Sequence, residues 1–354
     1  MKFLIVRLSS LGDIVHTLPV VGYLCSLYPN AQIDWLVGKK GLEILKLIPE
    51  INNVYLLNYK NLISIQKQKY DYVIDVQGLF KSALLSKLAF GKKTIGFKKT
   101  REFAHIFYDE KIDVGNLFKT SEHIVDLNLK LVSCIESKTD KSNQKEIKFL
   151  IPKLNKPSNE DLTQVVDFKK DYILIFPGTT WTSKMWPIKY WYELISNLSK
   201  VHEVVVCASA MDMVYLKPLI DQLGSSIKYT NLIGKTNVKD LIYLIQRSNL
   251  VIGLDSAGIH LASAIKNDYG SPNVIGLYGP TSPHRTGPYK MIQNCIYLSD
   301  LNCIACRKKT CPLGHHRCME EITPSDVCEV TNTISRNYLP MSRTFTKANH
   351  MPEA

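Results

Sequence analysis

Short, almost wholly apolar runs recur along the chain, and each is followed by a stretch whose apolar positions repeat every three or four residues. In the first half the runs are Lys2–Leu8, Gln32–Val37, Asn53–Leu57, Tyr72–Asp75 and Thr94–Phe97. A continuous apolar run bounded by turn residues predicts a strand covered on both faces. The intervening segments Ile14–Leu27, Gly41–Ile48, Asn61–Gln68, Lys81–Ala89 and Glu122–Ile135 have helical spacing. Strands alternating with helices predict βαβ units and a parallel sheet.

The pattern breaks between 137 and 160, a polar stretch punctuated by Pro152 and Pro157 that reads as a linker. One strand-like piece inside it, Ile147–Ile151, is expected to finish the first sheet. Alternation then resumes. Strands are predicted at Tyr172–Phe176, Glu203–Ala208, Leu250–Leu254 and Asn273–Tyr278, and helices at Pro187–Leu198, Met213–Leu223 and Ala257–Ile265. Another helix is capped by Asn237 and runs to Arg247. The expectation is an α/β protein of two Rossmann-like, doubly wound lobes, 1–158 and 166–340, facing each other across a cleft. The polar tail 341–354 is expected to be disordered.

Composition narrows the function classes. A chain of 354 residues with 45% hydrophobic content suits two domains with real cores. No run of about 18 uncharged apolar residues is present, so no membrane span is expected. The apolar start, Phe3 to Val6, is cut short by Arg7 and lacks a cleavage site, so no signal peptide is expected there and a cytoplasmic protein is predicted. The net charge of +12 points to an acidic partner: nucleic acid, an anionic membrane surface or a phosphorylated substrate. No nucleic-acid-binding module is recognisable, which sets that partner aside.

Four loops at strand ends carry candidate chemistry. Ser9-Ser10-Leu11-Gly12-Asp13-Ile14 follows the first strand. Asp13 there reads as a general base held ionised at a helix start, or as a plain helix cap. No G-x-G-x-x-G follows that strand, which argues against a nicotinamide-linked enzyme. The second loop, Thr179 to Pro187, joins hydroxyls of Thr179 and Thr180 to Lys184 ahead of a helix, a phosphate-site pattern without Walker A spacing. Asp255-Ser256-Ala257-Gly258-Ile259-His260 follows the strand Leu250–Leu254, with His260 open to reading as a core residue. Tyr278-Gly279-Pro280-Thr281-Ser282-Pro283 reads equally as a phosphate-approaching turn and as a proline-rich turn. The last three loops converge by topology on one sheet edge and describe a nucleotide-diphosphate site facing Asp13.

Two further clusters stand apart. Lys81, Lys87, Lys92, Lys93, Lys98, Lys99 and Arg101 occur with no acid among them, as an anionic-acceptor site or as a solvated surface. Cys303, Cys306, Cys311 and Cys318 crowd into 16 residues, with His315 and His316 between them. In a cytosolic chain such a cluster reads as metal-binding rather than disulfide-bonded: four thiolates this close suit a structural zinc, although the spacing is not that of a standard finger, and iron–sulfur ligation has similar needs. Four reduced thiols in a loop are the plain alternative.

The opening from Ile5 to Pro19, the stretch Tyr70 to Ser82, Thr179-Thr180 with Lys184 and Trp186-Pro187, and Tyr278-Gly279-Pro280-Thr281 together resemble the ADP-heptose:lipopolysaccharide heptosyltransferases, the start most of all heptosyltransferase I. That resemblance implies a two-lobed GT-B fold and inverting transfer of heptose from ADP-heptose to the lipopolysaccharide inner core, a Kdo–lipid A or heptosyl acceptor, with no obligatory metal. It implies Asp13 as the base, and Thr179, Thr180, Lys184, Asp255, Ser256, Gly258 and His260 as donor-binding residues. Ser10, Gly12, Lys98 and Arg101 become acceptor candidates. It also implies peripheral contact with the inner face of the inner membrane, where a lipid-linked acceptor resides. The family's Asp-Ser/Thr-Gly here reads Asp255-Ser256-Ala257, with Gly258 one place later. The competing reading is a non-catalytic nucleotide-sugar or metal-binding protein that uses the cysteine cluster.

Overall fold

The computed structural model describes residues 1–115, 121–135, 147–266 and 273–337. The polar stretch 137–146 and the tail 341–354 lie outside the described residues.

Two six-stranded sheets organise the chain. The first holds β1 (Lys2–Val6), β2 (Gln32–Val37), β3 (Asn53–Leu56), β4 (Tyr72–Asp75), β5 (Lys93–Phe97) and β6 (Glu110–Ile112). The second holds β7 (Tyr172–Phe176), β8 (Glu203–Val206), β9 (Thr230–Asn231), β10 (Leu250–Leu254), β11 (Val274–Leu277) and β12 (Cys295–Ile296). Their orders are β3-β2-β1-β4-β5-β6 and β12-β11-β10-β7-β8-β9, the same doubly wound plan twice, with every pairing parallel. Strand order reverses between β1 and β4 in one sheet and between β7 and β10 in the other. Open α/β sheets bind ligands outside the strand ends at such a point. The central strands are apolar on both faces because helices cover both: Tyr172–Phe176 and Leu250–Leu254 are buried throughout.

In the first half the helices are α1 (Leu11–Val15), α2 (Leu18–Leu27), α3 (Leu42–Leu45), α4 (Tyr59–Gln66), α5 (Phe80–Leu88) and α6 (Ile124–Ser133). After α7 (Leu162–Val165) the second half contributes α8 (Ile188–Leu198), α9 (Met213–Leu223), α10 (Val238–Arg247), α11 (Ala257–Ala264), α12 (Pro283–Thr286), α13 (Arg317–Glu320) and α14 (Pro324–Asn337). Asn237 caps α10 as expected, accepting from the Asp240 amide at 2.9 Å.

Two sequence expectations are corrected. The single helix expected over Ile14–Leu27 is broken at His16 and Thr17. Pro19 lies in the first turn of α2, where its missing N–H and its ring prevent an unbroken helix from reaching it. The break frees the His16 carbonyl to accept from Asn128 Nδ2 at 3.1 Å. The segment Ile147–Ile151 is not a strand. Phe149, Leu150 and Ile151 pack against the main core, and the chain beyond them is fastened along α10. Gln246 bonds both Pro152 O and the Leu154 amide, and Asp240 accepts from the amides of Ser158 and Asn159. Those bonds satisfy backbone groups that a sheet would otherwise pair.

Candidate active site

The first lobe delivers Asp13 on α1, directly after β1. Its Oδ2 accepts from the Ser10 amide at 3.0 Å and the Ser10 hydroxyl at 2.8 Å, which makes Asp13 part of a helix cap as well as a cleft residue. Its Oδ1 lies 2.8 Å from Arg7 Nη2, and 37% of its side chain stays open to solvent. Burial alone would raise its pKa. The Arg7 guanidinium and the Ser10 amide outweigh that and hold the carboxyl well below the usual carboxylate range. Arg7 is held in turn, since its Nη1 donates to Val76 O at 2.9 Å.

Asp75 ends the neighbouring strand and is buried, accepting from Tyr108, Ser82 and the amides of Gln77 and Gly78. Burial pushes its pKa up despite those donors. This carboxyl ties the β4 turn to the start of α5, and Gln77 Oε1 accepts from the Leu8 amide at 2.8 Å. The β1 and β4 turns are thereby locked together.

The second lobe brings most of its sequence-predicted residues to one carboxylate. Asp255 Oδ2 lies 2.6 Å from Lys184 Nζ and accepts from Thr281 Oγ1 at 2.6 Å, while Oδ1 lies 3.1 Å from His260 Nε2. Thr179 Oγ1 donates to Asp255 O at 3.5 Å. The Asp255 side chain is only 4% exposed and that of Lys184 15%. Burial opposes ionisation, but Lys184 and His260 hold the Asp255 carboxyl far below its usual value. The Lys184 ammonium also lies over the Trp181 ring, 4.5 Å from its centroid.

Thr180 is exposed beside this group, and Ser256 stands at the N-cap of α11. Gly258 is placed by packing: a Cβ there would stand 2.6 Å from the Phe176 ring, so glycine lets α11 lie close on β7.

The lobes meet at His260. A Cβ on Gly12 would stand 2.4 Å from His260 Cδ2. The His16 ring lies 4.4 Å from that of His260 and 5.4 Å from that of His123. Burial, then the neighbouring imidazoles, keep the His16 pKa well below its ordinary value, and neither of its ring nitrogens has a hydrogen-bond partner among the described residues. His123 accepts from the Val125 amide through Nδ1 and donates from Nε2 to Gly287 O, so it is neutral.

Sequence reasoning named Arg101 but missed Arg7, Arg285 and Arg307. Arg285 on α12 is half-buried, and burial together with Arg307 pulls its pKa down to about 10, with Asp13 opposing and Arg101 and Arg7 adding to the shift. Arg285 thus feels guanidiniums of both lobes and the Asp13 carboxylate, which Arg7 contacts directly, and such a concentration of positive charge attracts anions. The signal was present as a cation four residues past Thr281, but nothing in the pattern set it apart from surface charge. Lys98 instead pairs with Asp113 at 3.3 Å.

Cys303, Cys306, Cys311 and Cys318 line one small cavity with Ser183 and Pro280. All are free thiols. Among the described residues no three His, Cys, Asp or Glu side chains form a group that could hold a metal ion. His316 is committed elsewhere, its Nε2 donating to Ser183 O at 2.8 Å. The loop clamps the Lys184 segment: Lys309 O accepts from the Ser183 amide, and Lys308 O from the Ser183 hydroxyl at 2.6 Å.

Known proteins share this architecture and sequence. The lipopolysaccharide core heptosyltransferase OpsX of Haemophilus influenzae is 29% identical over 318 residues, 84% of each chain. The structure of the Escherichia coli ADP-heptose lipopolysaccharide heptosyltransferase II superposes with a TM-score of 0.75 at 23% identity, covering 94% of this chain and 98% of that one. The Escherichia coli heptosyltransferase WaaC with ADP gives 0.71 at 22% identity, over 94% of this chain and all (100%) of that one. These likenesses make the fold GT-B. The sequence profile of glycosyltransferase family 9 (heptosyltransferase) matches residues 60–317. The chain is a glycosyltransferase and belongs to glycosyltransferase family 9, the heptosyltransferase family.

Proposed function

We propose that the protein transfers heptose from ADP-heptose to a sugar of the lipopolysaccharide inner core, with inversion, and that Asp13 is the base. The observation that carries this reading is the meeting of the two lobes at His260, which brings the Arg7-paired Asp13 carboxylate of one lobe toward the Lys184–Asp255–His260–Thr281 group of the other. The relatives named above act on ADP-heptose and lipopolysaccharide, which supplies the sugar and the acceptor class.

In this mechanism the acceptor hydroxyl gives its proton to Asp13 as its oxygen attacks the anomeric carbon, and ADP departs. Lys184, the hydroxyls of Thr179 and Thr180 and the N-terminus of α11 at Ser256 take the diphosphate charge. The Arg7 pair makes Asp13 a weak base. An anionic acceptor that draws the Arg7 guanidinium toward itself restores basicity at the moment of binding. Arg101, Arg285 and Arg307 supply the positive field for that acceptor. Lobe contact at Gly12 and His260 excludes water. No metal enters these steps.

The four-cysteine loop is assigned a structural role, holding the Lys184 segment through Ser183. A zinc ion there would need the thiols to draw together, and metal analysis of the purified protein decides it. The function itself is tested with radiolabelled ADP-heptose and deep-rough lipopolysaccharides truncated at successive core sugars. Label should pass to one truncation and not to those on either side. Release of ADP with no labelled lipopolysaccharide from any of them would overturn the reading.

A further inference from the structure

Helix α5 is amphipathic in an inverted sense. Ser82, Ala83, Leu85 and Ser86 face the protein, whereas Phe80, Leu84 and Leu88 are exposed at a spacing of four and form one stripe. Lys81 and Lys87 share that outer face. The segment that packs against the helix enlarges the stripe. Phe103 is 75% exposed and Ile106 61%. The Phe80 and Phe107 rings lie 5.3 Å apart, and the Phe80 amide donates to Glu102 Oε2 at 3.2 Å, so the two pieces form one surface. Glu102 and Phe103 both have φ near +55°, a left-handed conformation that a bulky side chain adopts only when the surroundings impose it.

Charge says what covers this surface. Residues 80–107 carry seven Lys and Arg and a single acid, Glu102. Lys87, Lys92, Lys93 and Lys98 reach Asp109, Asp71, Glu110 and Asp113 at 2.6, 2.8, 3.7 and 3.3 Å, and Lys99 reaches Asp113 at 4.0 Å, but these surface pairs are weak. Lysine is depleted from the cores of protein interfaces, whereas apolar side chains interleaved with lysine suit the headgroup layer of an anionic bilayer. Position fits the same occupant. α5 begins at the C-terminal end of β4, and β4 lies beside β1, the strand that delivers Asp13.

We propose that the outer face of α5, with Phe103 and Ile106, docks on an anionic bilayer, so that a lipid-linked acceptor presents its sugars to the adjoining cleft. This rests on the reading of a lipid-anchored acceptor and names the surface that meets its membrane. Neither side chain belongs to the catalytic group, and both are exposed, so their replacement leaves the fold intact.

The test is flotation of the full chain with vesicles of phosphatidylethanolamine and phosphatidylglycerol, against vesicles of phosphatidylcholine alone. The wild type should float with the anionic vesicles only. The double variant Phe103→Ser, Ile106→Ser and, separately, Lys81→Glu with Lys87→Glu should each bind about tenfold less tightly. For the serine variant, transfer to an acceptor embedded in vesicles should fall in parallel, while transfer to the same acceptor sugars without acyl chains stays unchanged. Full flotation of both variants would overturn the proposal. So would a wild-type dimer, seen by light scattering, that the serine variant dissolves, because the stripe would then belong to a second copy. An absence of transfer to any acceptor would strike the function alone and leave the flotation result standing.

Discussion

Gly12 and His260 bring the two halves into close contact, since a methyl group on Gly12 would stand 2.4 Å from the imidazole Cδ2. That distance is inside van der Waals contact, and the obstacle is a ring held at Nε2 by Asp255. Gly12→Ala must therefore push α1 and α11 apart. A displacement of about 1 Å between reacting groups costs on the order of 100-fold in rate. Steady-state kinetics should show kcat reduced by that order, with ADP affinity by calorimetry within about threefold of wild type. Unchanged kcat would mean that the contact opens freely during turnover.

Lys184→Met isolates the second carboxylate. It leaves Asp255 buried with His260 and Thr281 but without its cation. Removing one partner of a buried pair costs about 3–5 kcal/mol. The variant should unfold at clearly lower denaturant concentration, and ADP binding should weaken beyond what the lost stability explains. The double variant Lys184→Met, Asp255→Asn should recover much of the stability but not the ADP affinity.

Most of the fold was legible because its central strands are unbroken apolar runs. The edge strands Glu110–Ile112, Thr230–Asn231 and Cys295–Ile296 were not, being two or three residues long and lacking any periodic signal. Pro324–Asn337 also passed unread, although proline at its start is an ordinary helix signal. At the site, Asp13, Lys184, Asp255 and His260 stood out because each lies within or just after a loop of small and hydroxyl residues between an apolar strand and a helix. Arg7, Arg285 and Arg307 did not, since a cation is recognised as functional only by the charges that the fold places around it. Ile147–Ile151 misled for the opposite reason. An apolar run reads alike whether it joins a sheet or packs as irregular chain on a core.

Arg7 sets the basicity of Asp13. Replacing it with Met removes the charge that outweighs burial, so the Asp13 pKa should rise. A base must be deprotonated to act, so the acid limb of kcat/KM should move upward, into an observable range above about pH 4. The pH–rate profile of Arg7→Met against wild type checks this. An unmoved acid limb would show that another group controls it.

The histidine contact makes stability depend on pH. His16 and His123 both have pKa values depressed by burial, so the folded protein keeps them neutral where the unfolded chain protonates them. The stability they protect is present above about pH 6.5 and is lost as pH falls below it. Each group contributes a slope of at most about 1.4 kcal/mol per pH unit. Thermal unfolding between pH 7.5 and 5.5 should show Tm falling with pH, and His16→Gln should reduce the slope.

The role of Asp13 is tested most directly by Asp13→Asn, which keeps the side-chain shape and leaves an oxygen for Ser10 to donate to. Initial rates of heptose transfer from ADP-heptose, measured alongside ADP affinity on the same preparation, separate chemistry from binding. Turnover should fall by about 10²–10⁴-fold with ADP affinity unchanged. Turnover within a few-fold of wild type would contradict the assignment of Asp13 as the base.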